Sequence, residues 1–228
     1  MNLTLYFNGL VFGPAVVNSI LVTIILVIFF VICNVIIKRT DPTKPIRGLM
    51  FLIEFAHDAL FKFIGESVGD KAFKYVPFVF TIVSYLVVAN LLGLFGLVPP
   101  TTNINITVAI AIFTLAYIML AGIFAKGLFK YLKDTYIGDM PKPLLILFLP
   151  INIIGEISKL ISLPIRLFGN IVSGTLLVAI VLQMLQWAAI PLFPILNGLF
   201  DIFAGLMQAV IFVTLAMIWV KDATESEA

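Results

Sequence analysis

Residues Ile157 to Leu177 read ISKLISLPIRLFGNIVSGTLL. The stretch has the apolarity and the length of a membrane-crossing helix, for which about 20 residues suffice. Yet Lys159 and Arg166 stand inside it. A guanidinium keeps its proton at any reachable pH. Placing one at mid-membrane costs at least ~2.5 kcal/mol on insertion scales. A chain that carries such a charge has either a use for it or a partner for it.

Outward from this stretch the chain stays apolar. It lies inside a longer run, Leu144 to Gln186, roughly twice the length a perpendicular span requires. A helix that long must tilt strongly, kink or break, and Pro150 and Pro164 are candidate kink sites. Four further runs reach spanning length: Val16 to Ile37, Tyr75 to Val98 before Pro99-Pro100, Ile106 to Leu128, and Ile195 to Val220. Met50 to Gly65 is different. Phe51, Phe55, Leu60 and Ile64 share it with Glu54, His57, Asp58 and Lys62, the mixture of an amphipathic helix lying on the membrane surface. The segment KGLFKYLKDTYIGDMPKP reads as a charged connector. The expected fold is an all-α polytopic membrane protein, one integral membrane domain over residues 1–228. It has five crossings and a surface helix, and its last two helices are long and strongly tilted.

Composition agrees. Of 228 residues 62% are hydrophobic and 11% charged, against roughly 45–50% and about 25% in soluble domains. A net charge of +2 gives no footprint for nucleic acid. One cysteine, Cys33, allows no disulfide framework. With a single His57 beside it, a four-ligand metal site is not expected, and no cofactor is expected either. The first charged side chain is Lys38, so the start carries no signal-peptide pattern. No P-loop, nucleophile elbow or HExxH pattern occurs. His57, alone on the surface helix, reads as an interfacial residue.

The loops give an orientation. Lys38, Arg39, Lys44 and Arg47 share a side with Lys126, Lys130, Lys133, Lys142 and Lys221 if there are five crossings. Residues 1–15 and the turns 97–105 and 187–197 carry no charge. The positive-inside rule then places the N-terminus outside and the C-terminus in the cytoplasm.

The intramembrane polar residues are patterned. At roughly 100° per residue, Lys159 lies about 20° and Asn170 about 40° to one side of Arg166, with Ser173 about 20° and Ser162 about 40° to the other. Lys159, Ser162, Arg166, Asn170 and Ser173 form one stripe, with Glu156 at its edge. In the last run Asn197, Asp201 and Gln208 form a second, with Gly205 among them. Hydrogen bonding between helices explains Ser158, Ser162, Ser173, Thr175 and Asn197 equally well. Lys159 is within snorkelling reach of the interface. Arg166 is not, and its alternatives are a functional cation or a buried ion pair with Asp201 or Glu156.

At this point a family is legible. SKLISLPIRLFGNIVSG closely resembles the segment around the essential arginine of subunit a of the rotary, F-type ATP synthase. LVPPTTNINITVAIAIF resembles the family's segment after its second span. LFDIFAGLMQAVIFVTLAMIW resembles its last helix, whose glutamine faces the arginine. The resemblance implies a stator subunit of the synthase membrane sector with two half-channels. These load and unload carboxylates on a rotating ring of c subunits, coupling proton or sodium flow to ATP synthesis. It makes Arg166 the essential arginine, Asn170 its polar neighbour and Gln208 its partner. Asp201 stands where the family keeps an ionisable group, and Thr175 where many bacterial relatives have glutamate. The ion-translocating set is Arg166, Asp201, Gln208, Asn170, Lys159, Glu156, Ser162 and Ser173, within a hairpin core over 157–220. Implied partners are the c-ring, the peripheral-stalk b subunits, the remaining synthase subunits and membrane lipid. The implied setting is a bacterial plasma membrane, and the chain alone is not catalytic. The stripe is expected to face the ring together with Leu163 and Gly169, leaving Ile161, Phe168 and Val172 toward other helices or lipid. A secondary transporter or simple channel is the alternative, and it predicts inverted repeats, of which none is visible.

Overall fold

The computed structural model describes residues 5–7, 10–39, 48–68, 72–137, 142–185 and 189–224. The loop holding Lys44 and Arg47 lies outside these residues, as do the side chains of Asn197 and Asp201. Among the described residues, seven α-helices follow a short antiparallel hairpin, β1 (Leu5–Phe7) with β2 (Leu10–Phe12), in which Tyr6 opposes Val11. The helices are α1 (Pro14–Arg39), α2 (Leu49–Val68), α3 (Ala72–Leu91), α4 (Ile104–Lys126), α5 (Leu128–Tyr136), α6 (Lys142–Leu185) and α7 (Ala189–Thr224). Five are long and apolar enough to cross a membrane: α1, α3 with the turn after it, α4, α6 and α7. The protein is therefore an all-α, multi-pass membrane protein apart from its small N-terminal hairpin.

The boundaries have local causes. The second run stops short of Val98: α3 ends at Leu91 and a 3-10 turn over Leu92–Phe95 closes on Gly96, whose φ of 69° suits glycine. Pro99 then leads into a second 3-10 turn, Pro100–Thr102. Asn103 caps α4, its side chain accepting from the Asn105 backbone N–H at 2.9 Å. Gly127, at φ 83°, ends α4 after Lys126 and turns the chain into α5. The charged connector is thus helical over nine residues. The long run is one unbroken 44-residue helix, continuous through Pro150 and Pro164. A helix of that length must be inclined to fit a bilayer of ordinary thickness.

α7 is the hub, packing against α2, α3, α4 and α6. Between lipid-exposed helices the hydrophobic effect supplies no drive, so close van der Waals fit decides. Accordingly Gly205, Ala209 and Ala216 line the buried side of α7 with Phe212, Val213 and Met217. The surface helix α2 packs against α3 and α7, burying Ile64 while Phe51 and Phe55 stay exposed. α1 is attached on one side only. There Asn18 Nδ2 donates to the Val98 carbonyl at 2.8 Å, and the Ser19 and Tyr85 hydroxyls lie 2.7 Å apart.

Candidate functional site in the α6–α7 hairpin

The burial pattern of α6 tells where its polar stripe points. Leu163, Leu167, Ile171 and Val178 are buried against the other helices. The face turned away from them carries Arg166, Asn170 and Ser173, flanked by exposed Ile165, Leu176, Leu177 and Ile180. Most of the stripe keeps its expected outward position. Leu163 does not: at 1% exposure it belongs to the packed ridge. It sits about 60° from Arg166 on the wheel, and the neighbouring helices occupy that flank.

Arg166 is exposed on this outward face. Among the described residues no carboxylate comes within ion-pairing distance of its guanidinium. Glu156, one candidate partner, is already engaged: Lys159 Nζ lies 2.6 Å from its Oε1. The same ammonium sits 5.7 Å over the ring of Trp219 on α7, close enough for a cation–π contact. Lys159 is therefore held by two neighbours near the lysine-rich end of the hairpin.

A second polar contact fixes the register. Asn170 Nδ2 donates to Gln208 Oε1, which puts those two residues at one level of the antiparallel pair. The partner of Gln208 is thus Asn170, with Arg166 one helical turn earlier on α6. Ser173 Oγ donates to the Asn170 carbonyl at 3.1 Å, steadying the same turn. Position 201 lies seven residues before Gln208, about 10 Å of helix, while Arg166 is displaced about 6 Å from Asn170 in the opposite sense. An axial gap of roughly 16 Å between the levels of Arg166 and residue 201 disfavours a direct pair. Ser162 is half-buried on the stripe, and Thr175 Oγ1 is turned back to the Val172 carbonyl at 2.9 Å.

Three residues complete the polar interior behind the stripe, and the sequence pattern did not single out two of them. Asn90 of α3 is buried, its Oδ1 accepting from the Thr101 hydroxyl at 2.7 Å. Its Cβ presses on Gly205 of α7, where a methyl group would approach it to 2.8 Å. Gly205 is one turn from Gln208. Asn90 Nδ2 and Gln208 Nε2 are both buried donors without an acceptor among the described residues. Leaving such a donor dry costs about 1–3 kcal/mol, so each fits a polar, water-accessible seam between α3 and α7. Among the described residues no group of three His, Cys, Asp or Glu side chains is placed to hold a metal ion.

A family model described as "ATP synthase A chain" matches residues 16–221. The chain belongs to the ATP synthase A chain family. It is 33% identical over 226 residues to "ATP synthase subunit a 2" of Acaryochloris marina, covering 99% of this chain and 86% of that one. To "ATP synthase subunit a" of Nitrosospira multiformis it is 34% identical over 190 residues, 83% and 72% of the two chains. To the protein of that name from Trichlorobacter lovleyi it is 31% identical over 214 residues, 93% and 90%. The matched region contains both polar stripes and the Asn90–Gly205 contact.

Proposed function

We propose that this chain is the ion-conducting stator subunit of a bacterial F-type ATP synthase. In this reading it is not catalytic alone, and works with a ring of carboxylate-bearing c subunits, the peripheral-stalk b subunits and the catalytic head. The observation that carries the reading is the outward exposure of Arg166, with no carboxylate partner among the described residues, on a helix long and apolar enough to cross the membrane. A permanent cation on such a surface is placed to meet an anion brought by another chain. At ~4 Å and an effective dielectric of about 20, an arriving carboxylate gains roughly 4 kcal/mol. That equals about three pKa units, enough to discharge a bound proton near neutral pH. Arginine suits the task because it neither releases nor relays a proton itself.

The two half-channels lie on opposite sides of this charge. The outer one takes in Asp201, Gln208 and the Asn90–Thr101–Gly205 seam, with the N-terminus on that side. The inner one passes Ser162 and the Glu156–Lys159 pair toward the cytoplasm. Ions reach the ring by one, ride around it and leave by the other, while Arg166 bars the direct route. The coupling ion is a proton, or sodium if the ring supplies the ligands.

Arg166→Ala or Arg166→Lys is expected to abolish ATP-driven ion uptake and ATP synthesis in membrane vesicles, with the subunit still assembled on immunoblots. Near-normal coupled uptake by either variant overturns the reading.

A further inference from the structure

The contact between Lys159 and Trp219 shares one register with a second contact of the same hairpin. Asn170 of α6 meets Gln208 of α7. Lys159 stands eleven residues before Asn170, and Trp219 eleven residues after Gln208. In an antiparallel pair those two steps run the same way, and the Trp219 ring does lie 5.7 Å from the Lys159 ammonium. Eleven residues make three turns plus about 20°, with a rise of about 16 Å. On each helix the second contact therefore returns to the flank of the first. Lys159 and Asn170 stand about 20° and 40° from Arg166, toward the side on which Leu163, Leu167 and Ile171 are packed. Arg166 lies between the two contacts, seven residues from Lys159 and four from Asn170.

This stretch of α6 needs holding. Charged side chains at membrane depth normally turn to the interior of a bundle, yet Arg166 faces outward beside Ile165, which is 56% exposed. The apolar ridge behind it opposes a roll of the helix only by close fit. At one end of the stretch the Asn170–Gln208 bond adds a directional hold. At the other end the ion pair of Lys159 with Glu156 cannot, because both residues belong to α6. Trp219 carries that end across to α7. We propose that Trp219 is a positioning residue: through the Lys159 ammonium it fixes the roll of α6 and keeps Arg166 on the outward face. Lys159 is the anchor, and Glu156 holds its side chain in place. The use made of that orientation rests on the function proposed above, whereas the contact itself does not.

Leu163→Cys and Ile171→Cys, made singly, mark the two edges of the packed ridge, about 60° and 140° from Arg166. A roll in either direction uncovers one of them. Each is labelled with N-ethylmaleimide in the full chain purified in detergent, and native Cys33, buried on α1, reports general loosening. Trp219→Leu or Lys159→Gln should raise labelling at one edge at least about two-fold, the low end of what a cation–π contact supports, with Cys33 unchanged. Trp219→Phe and Lys159→Arg keep the ring and the cation and should leave labelling flat. Lys159→Gln combined with Trp219→Leu should not exceed the larger single effect. Unaltered labelling in Trp219→Leu, a matching rise at Cys33, or an additive double variant overturns the proposal. ATP-driven ion uptake by vesicles with the assembled synthase should fall by a comparable factor in Trp219→Leu, and Trp219→Phe should recover most of it. Full uptake in Trp219→Leu, alongside its loss in Arg166→Ala, overturns the positioning role alone. Near-normal uptake in Arg166→Ala overturns the proposed function instead.

Discussion

Gly205→Ala tests the packing on which the polar interior depends. The added Cβ would lie 2.8 Å from Asn90 Cβ and 3.4 Å from Asn90 Nδ2. Carbon atoms normally rest about 3.5–4.0 Å apart. The Cβ of Asn90 is fixed by the α3 backbone, so no rotamer change relieves the contact. α3 and α7 must part by roughly 1 Å, and such overpacking costs about 1–3 kcal/mol. For a chain of this size each kcal/mol lowers the unfolding midpoint by about 2–4 °C. Thermal unfolding of the purified chain in detergent should therefore move down by several degrees, and ion uptake should fall as the α3–α7 contact at Asn90 and Gly205 opens. The rescue is specific. Asn90→Gly removes the opposing Cβ and should recover at least ~1 kcal/mol of the loss as coupling in a double-mutant cycle, after its own helix penalty. Asn90→Ala keeps that atom and should not. An unshifted midpoint for Gly205→Ala, or equal rescue by Asn90→Ala, refutes the geometric argument.

Asn170→Ala should cost about 1–3 kcal/mol, because it strands the second polar end of Gln208 in a buried site; unfolding in detergent measures it, and no change means that the bond is immaterial. Tyr131 has its pKa raised above 10.0, by burial first and then by the charge of Glu156, with a hydrogen bond from Thr135 opposing. The fold thus favours the protonated phenol, so this contribution is complete below pH 10 and declines as pH rises through the folded value. Tyr131→Phe should flatten the alkaline limb of a stability–pH curve; an unaltered limb would count against it. Asp201→Asn should slow ion flux strongly without loss of assembly, and Asp201→Glu or Asp201→His should retain part of it. Asp201→Cys, in a Cys33→Ala background, should be blocked by silver ions, and resistance would place residue 201 outside the water path.

The spans were legible because twenty-residue apolar runs are a property of the chain alone, and so was the stripe on α6, which needs only helical periodicity. Its exact edge was not. Leu163 and Gly169 sit about equally far from Arg166 on the wheel, yet Leu163 is buried and Gly169 half-open. Which flank packs depends on where α4 and α7 lie, and no local pattern encodes that. Asn90 escaped notice for a related reason: its role rests on meeting Gly205 across more than a hundred residues of chain. The signal available was a lone amide inside an otherwise apolar span. α5 was hidden by its lysines, which made a nine-residue amphipathic helix look like a loop, while Gly127 marked its start. Gln208 was legible as a polar residue of the last helix, but its pairing with Asn170 became visible only with the register of the hairpin.

The unbroken length of α6 has a consequence for direction. Its apolar part, Phe148–Leu185, has 38 residues, close to 57 Å of helix at 1.5 Å per residue. Fitting it into a slab of about 30–45 Å demands an inclination of roughly 40–60°. Its two ends are then offset by roughly 35–50 Å in the plane of the bilayer. The transmembrane voltage acts along the bilayer normal, yet such a slanted beam meets the two membrane faces at places far apart sideways. In the function proposed above, a charge that crosses beside it is also carried laterally, and the work of the field, about 2.3 kcal/mol per charge per 100 mV, is delivered as sideways motion.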